Sequence, residues 1–311
     1  MRSENRELGC VIDAMVTLSL RGGKRARAVL LVAGHVAAGG EFDLPRLSNA
    51  LFAMELLQSY LLIHDDWMDD DDTRRGGPSV HAALAKSYGS AREGAIAAIL
   101  AGDFASALSQ RAMARVPFSD RAVVRAIRAF AEMQERVVAG QILDVRAAPK
   151  TMADVERMHS LKTASYTTEG PITIGALLAD ADDETVRLLT AFARPLGVAF
   201  QLRDDVLGIF GDPQATGKPL YGDLFERKRT SLIVLASSLP EARALLEKEP
   251  SETCCRSLGN LIRESGILGE VESRITELVG ESRRALAQLR IDERGRKWFD
   301  ETIVFLTERA S

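Results

Sequence analysis

The stretch His64-Asp65-Asp66-Trp67-Met68-Asp69 decides how this chain is interpreted, because its carboxylates directly follow the apolar run Tyr60-Leu61-Leu62-Ile63. Charged side chains seldom occupy such positions unless they are paired or bound to a metal ion. A second acidic pair, Asp204-Asp205, lies about 140 residues later, at the end of another apolar stretch. Magnesium prefers oxygen ligands and commonly combines one or two carboxylates with phosphate oxygens. The two acidic motifs therefore predict a Mg²⁺ site that binds a diphosphate.

Basic residues follow each acidic motif and suit the phosphate oxygens of such a ligand. Arg74-Arg75-Gly76 follows the first motif, and Thr216-Gly217-Lys218-Pro219 and Lys228-Arg229-Thr230 follow the second. If the first motif is helical, Asp65 and Asp69 project from one face. The alternative is a solvated acidic helix end, which is what most charge runs are. An EF-hand is a remote alternative, because the alternating ligands, central glycine and terminal glutamate of that loop are missing.

Composition predicts an all-α fold in a single domain over residues 1–311. The chain is 46% hydrophobic and 27% charged, enough for a large core, and only 5% aromatic. Alternating strand patterns and linkers are nearly absent. Helical periodicity begins after Gly22-Gly23, and it predicts further helices at about Leu44 to Asp70, 91–115, 119–147, 152–179, 183–209 and 224–237, with shorter charged helices over 239–311.

The net charge and the lack of long apolar segments argue against several classes of protein. A net charge of -4 argues against a nucleic-acid binder, which would carry a basic face. The N-terminus lacks the apolar core of a signal peptide, and no uncharged apolar run of about 20 residues is present to span a bilayer. We therefore expect a cytoplasmic protein whose three cysteines, Cys10, Cys254 and Cys255, are reduced. The four histidines show no metal-ligand spacing.

Five motifs are spaced along the chain: Gly22-Gly23-Lys24-Arg25-Ala26-Arg27, His64 to Asp69 with Arg74-Arg75-Gly76, Gly140-Gln141-Ile142-Leu143-Asp144, Lys162-Thr163-Ala164-Ser165-Tyr166 and Phe200-Gln201-Leu202-Arg203-Asp204-Asp205. Their order resembles that of the trans-prenyl diphosphate synthases, the polyprenyl synthetase family. The resemblance covers about residues 20 to 235. Five motifs in register are far more specific than one acidic motif alone.

The resemblance implies a helical bundle of the isoprenoid synthase type with a central cavity, assembled as a homodimer. It implies that an allylic diphosphate ionises with the help of three Mg²⁺ ions, that isopentenyl diphosphate attacks the carbocation, and that the released diphosphate takes up the proton. Metal ions and basic residues would stabilise the charge that grows on the departing diphosphate.

The resemblance also assigns roles to residues of this chain. The implied direct magnesium ligands are Asp65, Asp69 and Asp204, with Asp66, Asp144 and Asp205 acting through water or neighbouring side chains. The implied allylic diphosphate site uses Arg74, Lys162, Lys218 and Lys228, and the isopentenyl diphosphate site uses Lys24, Arg27, Arg75 and Gln58. Thr163, Gln201 and Tyr166 match positions whose oxygens face the carbocation.

Several of these assignments have ordinary structural alternatives. Lys162 and Thr163 could be an ordinary exposed pair. A buried Gln such as Gln58 is more often a satisfied core residue than a ligand. The basic residues around Lys24 could simply solvate a helix N-terminus, although basic residues there oppose the helix dipole.

The chain departs from the family pattern at two places in its second half. Gly208 stands where many relatives have a third aspartate. In Leu220 to Lys228, relatives tend to have a Gly-Asp-Asp stretch and a glycine before the lysine, but here Tyr221-Gly222-Asp223 and Arg227 occur. These departures put the role of Lys228 and the closing of this loop in doubt.

Product length depends on the bulk about one helical turn before the first aspartates. Here Tyr60 and Leu61 supply that bulk, which favours geranylgeranyl diphosphate, with farnesyl diphosphate as the alternative. A class I terpene cyclase is less favoured, because it would not need a second basic pocket. A non-catalytic subunit that binds prenyl diphosphate is the remaining alternative. The reason to consider it is the altered loop between Leu220 and Lys228.

Overall fold

The computed structural model describes residues 5–147, 149–216, 220–291 and 293–307. They divide into two compact units, one within Met1–Val32 and Glu41–Ile127 and the other within Ala33–Gly40 and Arg128–Ser311. The predicted all-α class is confirmed, since the strands of the described residues form only one short hairpin. None of the helices found in these ranges has the length and apolar character needed to cross a membrane.

The first unit contains four complete helices and the hairpin, and two further helices, α2 and α6, contribute residues to both units. In chain order the elements are α1 (Arg6–Leu20), α2 (Ala26–Ala37), α3 (Leu44–Met68), β1 (Thr73–Arg74), β2 (Gly77–Pro78), α4 (Val80–Tyr88), α5 (Ala91–Met113) and α6 (Asp120–Arg146).

Helix α3 carries the first acidic motif, and both local and tertiary features fix it. Asp43 caps its N-terminus by accepting a hydrogen bond from the Arg46 amide (3.2 Å), and Pro45 occupies the first turn. The core of the unit joins α1, α3, α4 and α5 around side chains such as Ile63 and Leu84. Alanine and glycine residues on α5 allow that helix to approach its neighbours closely.

The second unit contains the remaining elements, with a core of α9, α12, α14 and α15 side chains. They are α7 (Met152–His159), a π-helix (Ser160–Glu169), α8 (Gly170–Leu178), α9 (Asp183–Phe210), α10 (Pro213–Thr216), α11 (Gly222–Phe225), α12 (Ser231–Ala236), α13 (Pro240–Leu246), α14 (Glu252–Glu264), α15 (Ile267–Gln288) and α16 (Glu293–Thr307).

The π-helix ends at a buried carboxylate that joins three helices. Glu169 accepts hydrogen bonds from Arg194 of α9 (2.9 Å from Nε) and from Arg136 of α6. Burial raises the pKa of Glu169, but the two guanidinium groups outweigh burial, and the pKa lies below its usual value. Because Arg136 lies on α6 and Arg194 lies on α9, Glu169 fixes the end of the π-helix to both of these helices.

Several predicted helices agree with the structure, and the differences have local causes. The predicted helix over 152–179 is continuous but contains the π-helix, where the Gly170 amide bonds the Ser165 carbonyl, five residues earlier. The predicted helix over 224–237 is wrong, because two short helices separated by residues 226–230 replace it. Helices α1 and α4 were not foreseen by periodicity. The single-domain assignment stays a prediction.

Glu169→Gln is expected to lower the unfolding free energy by about 2 to 3 kcal/mol, because it leaves two partly buried arginines without their anion. In melting curves this corresponds to a fall of roughly 3–5 °C at pH 7. Since the carboxyl pKa is depressed in the folded state, its contribution is present above about pH 4.5 and is lost as the pH falls through the lower folded pKa. The difference between wild type and variant should therefore shrink below pH 4.5.

Glu184→Gln is the matched control, because Glu184 pairs with Arg187 at an exposed position. That variant should change the melting temperature little. Equal melting temperatures for Glu169→Gln and wild type at pH 7 would contradict the structural role of Glu169.

Candidate active site

The first acidic motif ends helix α3, and its second aspartate is buried. Asp66 is 0% exposed, and its Oδ1 accepts a hydrogen bond from Arg74 Nε (2.6 Å). Its other oxygen, Oδ2, is buried without a hydrogen-bond partner. Burial raises the pKa of Asp66 above its ordinary value, although Arg74 opposes the shift. Asp66 thus anchors the segment that follows the helix through Arg74.

Asp65 and Asp69 lie on the more accessible side of the same motif. Asp65 is half-buried and Asp69, the C-cap of α3, is exposed. Carboxylates at a helix C-terminus lie at the negative end of the helix dipole, where they are destabilising. A bound cation would relieve this repulsion, which supports the predicted metal role of both residues.

A tight hairpin turn directs the two arginines that follow the motif. Arg75 and Gly76 both have positive φ angles (53° and 73°), which matches the type I′ turn of a two-residue hairpin loop. Arg74 in β1 contacts Asp66, as described above. Burial lowers the pKa of Arg75, and the nearby positive charges of Arg25, Arg27 and Arg74 lower it further, although Glu55 opposes this. The unit therefore gathers cations in one place, as a diphosphate requires.

The other residues predicted for the isopentenyl diphosphate site lie in this same unit. Lys24 is exposed and Arg27 is half-buried near the start of α2. Gln58 on α3 is buried, and its Oε1 has no hydrogen-bond partner. An unsatisfied buried amide oxygen is costly and requires a hydrogen-bond donor, which an ionised diphosphate does not supply. A contact between Gln58 and a diphosphate would therefore use the amide N–H groups.

The second acidic motif repeats the division between a buried and a more accessible aspartate. Asp205 is 3% exposed, and its Oδ2 accepts hydrogen bonds from the Ser231 amide (2.9 Å) and hydroxyl (2.8 Å). Gln201 Nε2 donates to its Oδ1 (3.3 Å). Because Ser231 begins α12, Asp205 also fixes α9 to that helix. The neighbouring Asp204 is half-buried.

The residues predicted to face the carbocation form a hydrogen-bonded chain with this motif. The Thr163 hydroxyl donates to Gln201 Oε1 (2.8 Å), and Gln201 then donates to Asp205. Because the hydroxyl proton of Thr163 is donated to Gln201, the Thr163 oxygen can offer a ligand only its lone pairs. Tyr166 is half-buried on the same π-helix.

Lys162 and Asp144 form an ion pair, which is possible because two helices approach closely. A Cβ atom at Gly140 would lie only 2.2 Å from the Lys162 amide nitrogen. Gly140 therefore lets α6 pack against the π-helix backbone. This contact explains physically why the Gly140 to Asp144 and Lys162-Thr163 motifs occur together. Isolated π-helical turns are often found at functional sites.

Arg203, the basic residue within the second motif, is occupied by structural contacts. Its terminal nitrogens donate to both Glu272 oxygens (2.6 and 2.7 Å), and its Nε donates to the Thr307 carbonyl (2.9 Å). Arg203 therefore fixes α9 to α15 and to the end of α16.

Asp223 is a candidate functional residue that sequence reasoning did not assign. A Cβ atom at Gly208 would lie 1.9 Å from Asp223 Oδ2, and Asp223 is buried. The Asp223 carboxylate thus fills the space that a side chain at position 208 would take. The sequence did contain a signal for this contact, because the aspartate missing at Gly208 and the altered loop around Asp223 occur in the same chain.

The altered loop is held by packing and capping. Tyr221 and Arg227 have positive φ angles (62° and 55°), a conformation that favours glycine. The Tyr221 ring lies against Gly259, and Arg227 Nη2 donates to the Lys248 carbonyl (2.5 Å) just beyond α13. Lys228 pairs with Glu226. Lys218 lies outside the described residues.

No group of three or more His, Cys, Asp or Glu side chains within the described ranges is arranged as a metal site. His159 lies 3.7 Å from Asp205 Oδ2 and is buried, and burial lowers its pKa despite the nearby carboxylates of Asp205 and Asp144.

Comparison with known proteins identifies the family. Residues 10–255 match the family model described as polyprenyl synthetase. The chain belongs to the polyprenyl synthetase family. It is 30% identical over 306 residues to a geranylfarnesyl diphosphate synthase of Aeropyrum pernix, which covers 95% of this chain and 93% of that protein. It is 39% identical over 218 residues to a geranylgeranyl diphosphate synthase of Mycobacterium tuberculosis, covering 69% of this chain and 58% of that one.

A solved structure shows the same fold. The geranylgeranyl pyrophosphate synthase of Corynebacterium glutamicum, complexed with isoprenyl diphosphate and magnesium, superposes with a TM-score of 0.87. The two chains are 32% identical, and the match covers 96% of this chain and 90% of that one. The isoprenoid synthase type of all-α fold is therefore confirmed, as is the assignment to the prenyltransferases.

Gly208→Asp, which restores the aspartate of many relatives, is expected to damage this protein. The new carboxylate would meet Asp223 in a buried place, with both a steric clash and like-charge repulsion. We expect a loss of about 2 kcal/mol or more, measured by chemical denaturation.

The double variant Gly208→Asp with Asp223→Gly should recover much of that loss, because it exchanges the two positions. Gly269→Asp is a matched control, since a side chain at Gly269 meets nothing within 4 Å. A stable Gly208→Asp single variant would show that Asp223 does not occupy this space in solution.

Proposed function

We propose that this protein is a short-chain trans-prenyl diphosphate synthase that condenses isopentenyl diphosphate with an allylic diphosphate, giving geranylgeranyl diphosphate. One observation carries the proposal: in a chain of this family, both acidic motifs pair a buried, anchored aspartate with a more accessible one, Asp65 and Asp204 respectively. Farnesyl diphosphate is the alternative product, because named relatives differ in product length.

The donor set fits magnesium. The candidate ligands Asp65, Asp69 and Asp204 offer only carboxylate oxygens, which a hard divalent cation prefers over nitrogen or sulfur. The related Corynebacterium glutamicum enzyme was solved with magnesium. When bound, Mg²⁺ would supply positive charge that favours departure of the diphosphate. A count of three ions remains part of the proposal.

The residues of the second unit orient the reacting allyl group in this proposal. The Thr163 oxygen, whose proton is donated to Gln201, presents a lone pair to the carbocation. Lys162 is held by Asp144 and would bind the allylic diphosphate with Arg74, Lys218 and Lys228. The released diphosphate would accept the proton.

The cations of the first unit would bind isopentenyl diphosphate. Lys24, Arg27 and Arg75 supply positive charge, and Gln58, buried in the same unit, would donate from its amide N–H groups to the diphosphate oxygens. A second basic cluster is what distinguishes a two-substrate condensation from a cyclisation of one diphosphate.

The expected homodimer and cytoplasmic location also belong to the proposal. On α5, Ile96, Ile99 and Leu100 are exposed and lie three and four residues apart, so they share one helix face. A second copy of the chain would remove this apolar face from water.

The proposal is tested by incubating the protein with isopentenyl diphosphate, Mg²⁺ and, separately, dimethylallyl, geranyl or farnesyl diphosphate. The dephosphorylated products are sized by chromatography. A discrete twenty-carbon alcohol is expected. Hydrocarbon released from one diphosphate alone would indicate a cyclase, and no elongation with any primer would favour the non-catalytic subunit.

Asp65→Asn and Asp204→Asn are each expected to lower kcat by about 10²-fold or more, because each removes charge that stabilises the ionising state. Asp43→Asn is the control: it removes a carboxylate from the far end of α3, but asparagine also caps helices well. Binding of a diphosphate in the presence of Mg²⁺, measured by calorimetry, should weaken in the first two variants only. Full activity in Asp65→Asn would contradict the assignment.

Tyr60→Ala is expected to lengthen the product by at least one five-carbon unit. The Tyr60 ring meets the His64 ring edge-on at 4.9 Å, and His64 in turn lies against Gly102 of α5 and its Nε2 is 3.1 Å from the Ile99 carbonyl. These contacts hold the Tyr60 ring in place, where we propose that it forms a floor, meaning the side chain that limits the length of the growing product. Phe52→Ala, which removes an exposed aromatic ring from the same helix, should leave the product unchanged. An unchanged product spectrum in Tyr60→Ala would refute the floor.

A further inference from the structure

In the first unit, the end of α1 and the hairpin each carry an arginine that donates hydrogen bonds to backbone carbonyls of the other segment. Arg21, at the end of α1, donates from Nη1 to the carbonyls of Pro78 (2.6 Å) and Arg74 (3.3 Å) in the hairpin. Arg75, at the tip of that hairpin, donates from Nη1 to the carbonyls of Arg21 (2.9 Å) and Gly22 (3.2 Å). We name this reciprocal contact of Arg21 and Arg75 the arginine clasp.

Each arginine of the clasp also lies against a glycine of the opposite segment. A Cβ atom at Gly77 would lie 2.6 Å from Arg21 Cζ, and one at Gly23 would lie 3.0 Å from Arg75 Cζ. Gly23 has a φ of +103°, which side chains rarely adopt. The glycines therefore leave the room that both guanidinium groups occupy.

The clasp lies where like charges are gathered. The segment held by Arg75 continues directly into Lys24, and the hairpin held by Arg21 carries Arg74 and Arg75. Burial lowers the pKa of Arg75, and the nearby positive charges of Arg25, Arg27 and Arg74 lower it further. Backbone carbonyls hold the two arginines without adding negative charge, so the positive potential remains available to an anion.

We infer that Arg21 is a positioning residue for the isopentenyl diphosphate site, because it fixes the hairpin that presents Arg75 against the loop that presents Lys24. This inference rests on the proposed function. No motif quoted above includes Arg21, and its contacts go to backbone carbonyls. Its effect on substrate would therefore pass through the backbone that it holds.

Steady-state kinetics of Arg21→Met, with each substrate varied in turn, tests the inference. Loss of the hydrogen bonds to the hairpin should raise the KM for isopentenyl diphosphate about tenfold, the change that corresponds to about 1.4 kcal/mol. The KM for the allylic diphosphate should change less than about twofold. Arg74 lies on the same hairpin, but its side chain is held separately by Asp66 (2.6 Å), and the other residues proposed for the allylic site lie elsewhere in the chain. Arg21→Lys keeps one donor nitrogen and should recover part of the affinity.

Gly77→Ala provides a test that leaves Arg21 in place. The added methyl group would displace the Arg21 guanidinium, so this variant should show the same selective rise in KM. In the double variant Arg21→Met with Gly77→Ala, the two increases in the KM for isopentenyl diphosphate should not add, because both changes remove the same contact. Additive effects would mean that the two residues act separately and would overturn the clasp.

Arg46→Met is the matched control. Arg46 also lies in the first unit and donates to a backbone carbonyl, that of Pro117 (3.2 Å), but it stacks on the Phe118 ring and its carbonyl partner is not part of the hairpin. That variant should leave both KM values unchanged. A parallel rise of both KM values in Arg21→Met, or no rise in either, would overturn the inference.

Calorimetric binding of isopentenyl diphosphate to wild type and Arg21→Met separates this inference from the proposed function. If wild type elongates no primer but binds isopentenyl diphosphate about tenfold more tightly than Arg21→Met, the synthase proposal fails and the clasp stands. Equal affinities in an active enzyme would refute the clasp alone.

Discussion

Two adjacent carboxylates on a helix repel each other, and the way this chain separates them shapes both acidic motifs. In each motif the second aspartate is buried and held by its own partners, Arg74 for Asp66 and Ser231 for Asp205. The first aspartate is left more accessible. The buried member also fixes the next part of the chain: Asp66 holds the hairpin and Asp205 holds α12. Each motif therefore holds a neighbouring segment of the chain in place and also offers a candidate metal ligand.

The arginines of the chain have different kinds of partner. Some structural arginines are paired with glutamates, as in the bidentate contact of Arg203 with Glu272. The arginine clasp instead uses backbone carbonyls, which satisfy N–H groups without cancelling their charge. A diphosphate carries several negative charges, so a site that keeps its positive charge uncompensated would bind it more strongly. The carbonyl partners of Arg21 and Arg75 thus leave the positive charge of the clasp available to a substrate anion.

The sequence predicted the helical class, most long helices and the motif residues, because apolar periodicity and charge next to apolar runs are local signals. It did not predict the π-helix, whose geometry depends on Gly140 packing against Lys162 and on Glu169 meeting two distant arginines. It could not assign Asp223 to the space beside Gly208, since that contact joins residues from separate helices. Nor could it explain Arg227 at a glycine-like φ, which depends on a carbonyl beyond α13.

The division of labour between adjacent aspartates is tested most directly by crystals grown with Mn²⁺ in place of Mg²⁺ and an unreactive allylic thiodiphosphate. Anomalous scattering would then locate the metal. Mn²⁺ peaks are expected about 2 Å from oxygens of Asp65 and of Asp204, with Asp66 still bonded to Arg74 and Asp205 to Ser231. Metal bound directly by Asp66 or Asp205 in place of those partners, or no metal at either motif, would contradict these separate roles of the two aspartates.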